Sequence, residues 1–251
     1  MKLPLNNKAS KKSVILSANT SWYLKNFREA TIKKFLEAGF NVVCVCPKDR
    51  FTQDLIEMGC EFIHLEMNNK GLNPAQDIKL IYFFYKIYKS TNPIAVFNFT
   101  IKNNIYGSYA AALTGTRVLS HVTGLGTVII HGGILSYFVK FLYLTSQFFA
   151  TKIFCQNQDD YDFFIKNYLA PKKKLETIPG SGVNLKKFSC PERYELPKNA
   201  NDKITFLYAG RILRDKGLIE LVESIRLINK EIIRCKLKIY GFIDIQNISS
   251  I

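Results

Sequence analysis

No two cysteines in the 251-residue sequence form a C-x-x-C pair; the six stand at 44, 46, 60, 155, 190 and 235. That scatter argues against a zinc ligand set or a disulfide framework. Cys44 and Cys46 alternate in a strand-like run, so buried free thiols in a reducing compartment are expected. A secretory leader is also missing: the basic start MKLPLNNKASKK leads only to the short apolar run Val14–Leu16. Nor is there a membrane-spanning run. The longest apolar stretch, Ile134 to Ala150, contains Lys140 and Gln147 and is bordered by Lys152. It falls short of the roughly 20 apolar residues a spanning helix needs. The expected location is cytoplasmic, with at most a peripheral contact on the inner face of the plasma membrane.

Acidic residues are scarce. Asp and Glu number 20 against 35 Lys and Arg, a net charge of +15. Such a surplus favours polyanionic partners: nucleic acid, an anionic membrane face or phosphorylated ligands. The basic residues are scattered, and there is no helix-turn-helix spacing, zinc-ligand set or aromatic RNA-binding signature, so nucleic acid is set aside. With 47% hydrophobic and 13% aromatic residues, the chain has ample material for a core.

The pattern that is present is alternation. Short β-branched runs, among them SVILS (13–17), NVVCVC (41–46), EFIHL (61–65) and IAVFNF (94–99), alternate with longer helical segments. Gly39 is placed to stop a first helix running from about Tyr23 to Ala38. Asn73-Pro74 opens a later helix, with proline in its first turn. Further strands are expected at 116–121, 152–156 and 175–179. The order βαβα predicts a doubly wound, largely parallel sheet with helices on both faces. Residues 189–203 (SCPERYELPKNANDK) have two prolines, many charges and no periodicity, and are expected to link a domain at 1–188 to a second at 204–251. The second contains two strands and one helix, an incomplete domain.

Several segments sit where an open α/β sheet binds ligands, after the carboxyl ends of strands. In Tyr208-Ala-Gly-Arg-Ile-Leu-Arg-Asp-Lys-Gly217, Gly210 permits a tight turn. Arg211 and Lys216 would meet a diphosphate through a charge-assisted fork and a point charge. Ser120-His-Val-Thr-Gly-Leu-Gly-Thr127 places His121, Thr123, Gly124, Leu125 and Gly126 beyond another strand. Ser17–Arg28 joins the first strand to its helix; Trp22, Asn26 and Arg28 would line the cleft, and the helix N-terminus would favour an anion. Trp22 and Phe27 can equally be read as stapling the helix to the sheet. The helix Ile78–Lys89 carries Lys79, Lys86 and Lys89 on one side. It reads either as a core helix with snorkelling lysines or as a basic face for an anionic interface.

YAGRILRDKGLIELVESIRLI resembles the start of the second domain of family 4 glycosyltransferases, which have two Rossmann-like domains (the GT-B fold). Ile178-Pro-Gly-Ser-Gly-Val-Asn-Leu-Lys-Lys-Phe188, with Gly180, Gly182 and Val183, resembles that family's interdomain crossing. The T-G-L-G element is similar to that of members building bacterial surface polysaccharides or protein-linked glycans. The resemblance covers roughly residues 13–241 and implies a retaining transferase. It would move a sugar from a nucleotide-diphosphate donor to a glycan acceptor, polyprenyl-linked, without cofactor or metal, the nucleotide sugar being a co-substrate. Arg211 and Lys216 would grip the donor diphosphate, His121 would be the catalytic-site histidine, and Gly210 and the 180–183 loop would complete the donor side. The stretch of the family's second domain that carries its E-x7-E element has no counterpart in this sequence. The alternative expectation is therefore a truncated, inactive fragment that at most binds acceptor or membrane.

Overall fold

A computed structural model describes residues 12–68, 73–126, 129, 132–189, 204–231, 235–241 and 243. It divides into two compact units, residues 1–187 and 188–251. Apart from Ser189, the expected linker lies outside the described residues.

The first unit runs β1 (Ser13–Ser17), α1 (Ser21–Glu37), β2 (Asn41–Cys46), α2 (Thr52–Glu57), β3 (Glu61–His64), α3 (Pro74–Thr91), β4 (Ala95–Phe99), α4 (Ile101–Thr114), β5 (Val118–Val122), α5 (Ile134–Gln147), β6 (Lys152–Cys155), α6 (Gln158–Lys166) and β7 (Leu175–Thr177). The sheet order is β3-β2-β1-β4-β5-β6-β7, all pairs parallel. The doubly wound parallel sheet predicted from the alternation is therefore present. Strand order reverses between β1 and β4, which opens a crevice at their carboxyl ends.

Local chemistry sets the element ends. Thr20 accepts from Tyr23 N at 3.0 Å, so α1 begins at Ser21, two residues before the apolar pattern suggests. Gly39, at φ +83°, takes the left-handed conformation after α1 at no side-chain cost. Asn73 caps α3 and Pro74 occupies its first turn, as the sequence predicts.

Because the sheet is covered on both sides, its central strands are mostly apolar, with Ser17, Asn98, Ser120 and His121 falling toward their carboxyl ends. Val14, Leu16, Val42 and Cys44 pack under Leu24 and Ile32 of α1 and Leu55 of α2. Ile15, Val43, Val96, Val118 and Ile153 pack on the other face against Phe84 of α3, Ile105 of α4, Tyr143 of α5 and Phe164 of α6. Cys44, Cys46, Cys60 and Cys155 are buried free thiols; burial pushes the Cys46 thiol up to about 12, which favours its neutral form. In the second unit β8 (Ile204–Ala209) pairs in parallel with β9 (Cys235–Tyr240), and α7 (Leu218–Glu231) connects them. Among the described residues no helix is long and apolar enough to cross a membrane.

Candidate functional site

The crevice floor is polar. Ser17, Asn98 and Asn103 are fully buried at the ends of β1 and β4 and the start of α4. Ser17 Oγ donates to Asn98 Oδ1 at 2.5 Å, and Asn103 Nδ2 donates to Ser17 Oγ at 3.1 Å. Thr100, between β4 and α4, holds φ at +73°, and its hydroxyl donates to Asn103 Oδ1. A β-branched residue in that region is strained, a condition that concentrates at ligand sites.

His121 stands one residue from the end of β5. Its register partners are Phe99 on β4 and Phe154 on β6, so three rings lie side by side across three strands. Ring centroids are 4.6 Å from Phe99 and 5.0 Å from Phe154. Both ring nitrogens are buried with no hydrogen-bond partner among the described residues. Burial, then the charge of Arg28, pushes the imidazole down to about 3, so it is neutral at physiological pH. A neutral imidazole with two unused nitrogens can offer one donor and one acceptor to a ligand.

Arg28 lies on α1, and with Leu24 and Ile32 it forms the buried stripe of that helix; it is only 5% exposed. Its guanidinium carbon sits 4.3 Å over the Phe99 ring, and one terminal nitrogen donates to Tyr23 Oη at 2.8 Å. Its Nε has no partner, and no carboxylate pairs with it among the described residues. A buried cation with aromatic but no anionic neighbours is costly, and it projects an uncompensated positive field.

The remaining cleft residues are placed less directly. Trp22 is exposed and meets Phe27 edge-on at 5.3 Å, so the two rings pack on each other rather than both anchoring α1 to the sheet. Asn26 turns back to donate to Trp22 O and does not reach outward. The anion expected at the α1 N-terminus is the protein's own: Asp49, just past β2, accepts from Trp22 N at 2.9 Å. Sequence reading missed Asp49 because 27 residues separate the partners. Thr123, Gly124 and Leu125 continue from β5 over the start of α4. A Cβ on Gly126 would lie 2.7 Å from Ile101 Cδ1, so the backbone there runs close over α4. Gly180 and Gly182 take left-handed φ after β7, where Gln156 Nε2 donates to Ser181 Oγ at 3.1 Å; Val183 beside them is exposed.

In the second unit, Gly210 N donates to Tyr240 O at 3.0 Å, and Tyr208 Oη donates to Arg211 O at 2.6 Å. A Cβ on Gly241 would fall 1.9 Å from Gly210 O. The ends of β8 and β9 are therefore held at backbone contact, with Arg211 emerging directly from the pinch. Lys216 closes a 3-10 turn, Arg214–Lys216, and Gly217 at φ +70° turns the chain into α7. Arg211 and Lys216 thus share one βα loop, both exposed. No group of three or more His, Cys, Asp or Glu suited to a metal ion occurs among the described residues.

The chain is 29% identical over 212 residues to an N,N'-diacetylbacillosaminyl-diphospho-undecaprenol alpha-1,3-N-acetylgalactosaminyltransferase of Campylobacter jejuni, covering 79% of this chain and 56% of the relative. It is 25% identical over 205 residues to the capsular polysaccharide biosynthesis glycosyltransferase CapM of Staphylococcus aureus, covering 78% and 53%. A UDP-Gal:alpha-D-GlcNAc-diphosphoundecaprenol alpha-1,3-galactosyltransferase of Escherichia coli is 23% identical over 202 residues, covering 75% and 50%. The chain spans about half the length of these curated relatives. Among solved structures, a glycosyltransferase from Rickettsia africae superposes with a TM-score of 0.65 at 16% identity, over 92% of this chain and 68% of that one. The sucrose-phosphate synthase of Thermosynechococcus elongatus gives 0.64 at 15% identity, over 96% and 65%. These likenesses establish a shared fold. The profile described as "Glycosyl transferase 4-like" matches residues 13–157, more than half of the chain, and the chain belongs to that family.

Proposed function

We propose that the whole protein transfers a sugar from a nucleotide-diphosphate donor to a polyprenyl-diphosphate-linked glycan, with retention of anomeric configuration and no metal, at the cytoplasmic face of a membrane. The observation that carries this reading is the pair formed by Arg28 and His121. A buried cation without a counter-ion and a neutral imidazole with two unused nitrogens stand together at the ligand edge of the sheet. Both conditions cost stability in the unliganded protein and are relieved by an anionic, hydroxyl-rich substrate. The acceptor class is supported by two relatives whose names specify diphosphoundecaprenol substrates.

In the reaction the acceptor oxygen bonds to the anomeric carbon while that carbon's bond to the donor diphosphate breaks. The hydroxyl proton leaves with the departing diphosphate. Arg211 and Lys216 offset the charge growing on that leaving group; His121 hydrogen-bonds a sugar hydroxyl, and Arg28 contributes a fixed positive potential. The membrane contact is supported by α5, where Ile134, Tyr137 and Phe141 are 90%, 75% and 57% exposed at i, i+3 and i+7.

The test incubates the protein with UDP- and GDP-sugars and a prenyl-diphosphate-linked monosaccharide. Lipid-linked disaccharide is followed by mass spectrometry and its anomeric configuration by NMR, and donor binding is followed by calorimetry. Product of retained configuration, lost in His121→Ala, is expected. An inverted product refutes retention. No product, with no calorimetric binding of any donor, overturns the reading.

A further inference from the structure

The outer layer of helices contains an open groove of about 540 Å³ between α3, α4 and α5. Eleven residues line it, Ile78, Ile81, Tyr109, Leu113, Phe138 and Leu142 among them, and Asp77 alone is charged. The volume falls within the range of small-molecule sites, roughly 300–1,000 Å³. A soluble protein seldom leaves so apolar a trough unfilled, so its chemistry asks for an apolar occupant.

Asp77 also lines a second, polar pocket of about 330 Å³ with Glu66, Gln76, Lys79 and Lys102. The two cavities therefore adjoin at one residue. Asp77 lies in the first turn of α3, Lys102 in the first turn of α4, and Glu66 just past β3. The polar pocket consequently sits at the ligand edge of the sheet, and the groove leads from it along the helices. Lys102 Nζ is 3.0 Å from Asp77 Oδ1, a pair mostly removed from solvent that fixes the junction. The cations of α3 are not so paired. Lys79, Lys86 and Lys89 each stand over an aromatic ring one helical turn away, Phe83, Tyr82 and Tyr85, with no carboxylate partner among the described residues. The trough itself is apolar, the polar pocket at its mouth holds Lys79 and Lys102 beside Glu66 and Asp77, and α3 carries Lys86 and Lys89 outside both linings; the combination matches an amphiphile with an anionic head and a linear hydrocarbon tail.

We infer that this groove seats the head-proximal isoprene units of the polyprenyl-diphosphate acceptor, with the diphosphate in the adjoining pocket beside Lys79 and Lys102. The inference rests on the transfer reading for its choice of lipid. It is separate from the sugar-binding edge formed by Arg28 and His121. On this reading α5 has two working faces. The exposed stripe of Ile134, Tyr137 and Phe141 meets the bilayer, and the groove-lining residues Phe138 and Leu142 guide one chain out of it.

The test measures calorimetric binding of geranylgeranyl diphosphate, inorganic diphosphate and phosphatidylglycerol vesicles to the protein. Ala112→Trp fills the groove and Leu113→Glu places a charge in it. Both positions are exposed on α4, and circular dichroism verifies folding. Geranylgeranyl diphosphate is expected to bind at least tenfold more tightly than inorganic diphosphate, and each variant to abolish that advantage while inorganic diphosphate binding is unchanged. Equal affinity for the two diphosphates, or unchanged prenyl binding in both variants, overturns the inference. Loss of vesicle binding alone in the variants overturns it also, because it makes the groove a bilayer contact. Prenyl binding needs no turnover, so the two readings fail separately. Prenyl binding with neither transfer nor donor binding leaves the groove standing and removes the enzymatic reading; transfer to a water-soluble acceptor without prenyl binding does the reverse.

Discussion

Replacing Arg28 by methionine removes the buried charge and keeps a long apolar stem in its place. The change forfeits the charged hydrogen bond to Tyr23 Oη, worth about 1.5–3 kcal/mol. It also forfeits the cation–π contact with Phe99, about 2 kcal/mol when desolvated. Against these losses stands the relief of an uncompensated buried charge, itself several kcal/mol. The terms nearly cancel, and Arg28→Met is expected to change stability by no more than about 1 kcal/mol, a shift of about 2–4 °C in a chain of this size. An ordinary buried side chain that served only packing would not be so dispensable. The accompanying readout is His121. The charge of Arg28 is the second cause of its depressed pKa, after burial, so the imidazole in Arg28→Met titrates above its parent value of about 3 and still below 6.5. Thermal unfolding and an NMR titration of the imidazole protons measure both. A loss above about 3 kcal/mol shows that Arg28 holds the fold together; an unmoved His121 shows that its charge does not reach the ring. Either result refutes the account of a stored positive field.

His121 also makes stability pH-dependent. Its folded pKa, about 3, lies below the ordinary 6.5. The unfolded state therefore takes up a proton that the folded state refuses, and stability present above pH 6.5 is lost as pH falls toward 3, by at most about 1.4 kcal/mol per pH unit. His121→Gln is expected to flatten that slope in urea titrations. At Gly107, in α4, a Cβ would lie 2.2 Å from Asn98 Nδ2 and 2.8 Å from Tyr88 Oη. Gly107→Ala should cost about 3 kcal/mol by displacing Asn98 from Ser17, measured by chemical denaturation. Asp49→Ala strips the carboxylate from the α1 N-terminus and is expected to cost about 1 kcal/mol in the same experiment. Lys102→Met leaves Asp77 buried and unpaired, with an expected loss of about 3 kcal/mol.

The fold is legible in the sequence where the signals are local. NVVCVC coincides with β2 to the residue, since a strand buried on both faces reads as a near-continuous apolar run. The start of α1 is displaced because Thr20 acts through its hydroxyl, which apolar periodicity does not register. His121 can be found from its place at a strand end. Arg28 is easily misjudged although the spacing of 24, 28 and 32 places it on the buried stripe; its charge argues for the surface and the period argues correctly. Asp49 and the groove have no sequence signal, because each is made by segments that meet only in the folded sheet. The three lysines of α3 stand out as one basic side, and the rings one turn away that hold them are present in the same segment.

The hydrogen bond from Ser17 to Asn98 joins residues 81 apart in the chain. Strands β1 and β4 are neighbours in space, yet two strands and three helices are synthesised between them. Closing so long a loop early is entropically unfavourable, so β2 and β3 are placed to add to β1 first. The crevice is accordingly among the later contacts to form. A nascent chain that has not yet released Asn98 from the ribosome has a hydrophobic half-sheet but no binding edge. Ligand affinity therefore reports completion of the central sheet, and a variant that slows the β1–β4 closure would lose binding during refolding before it loses secondary structure.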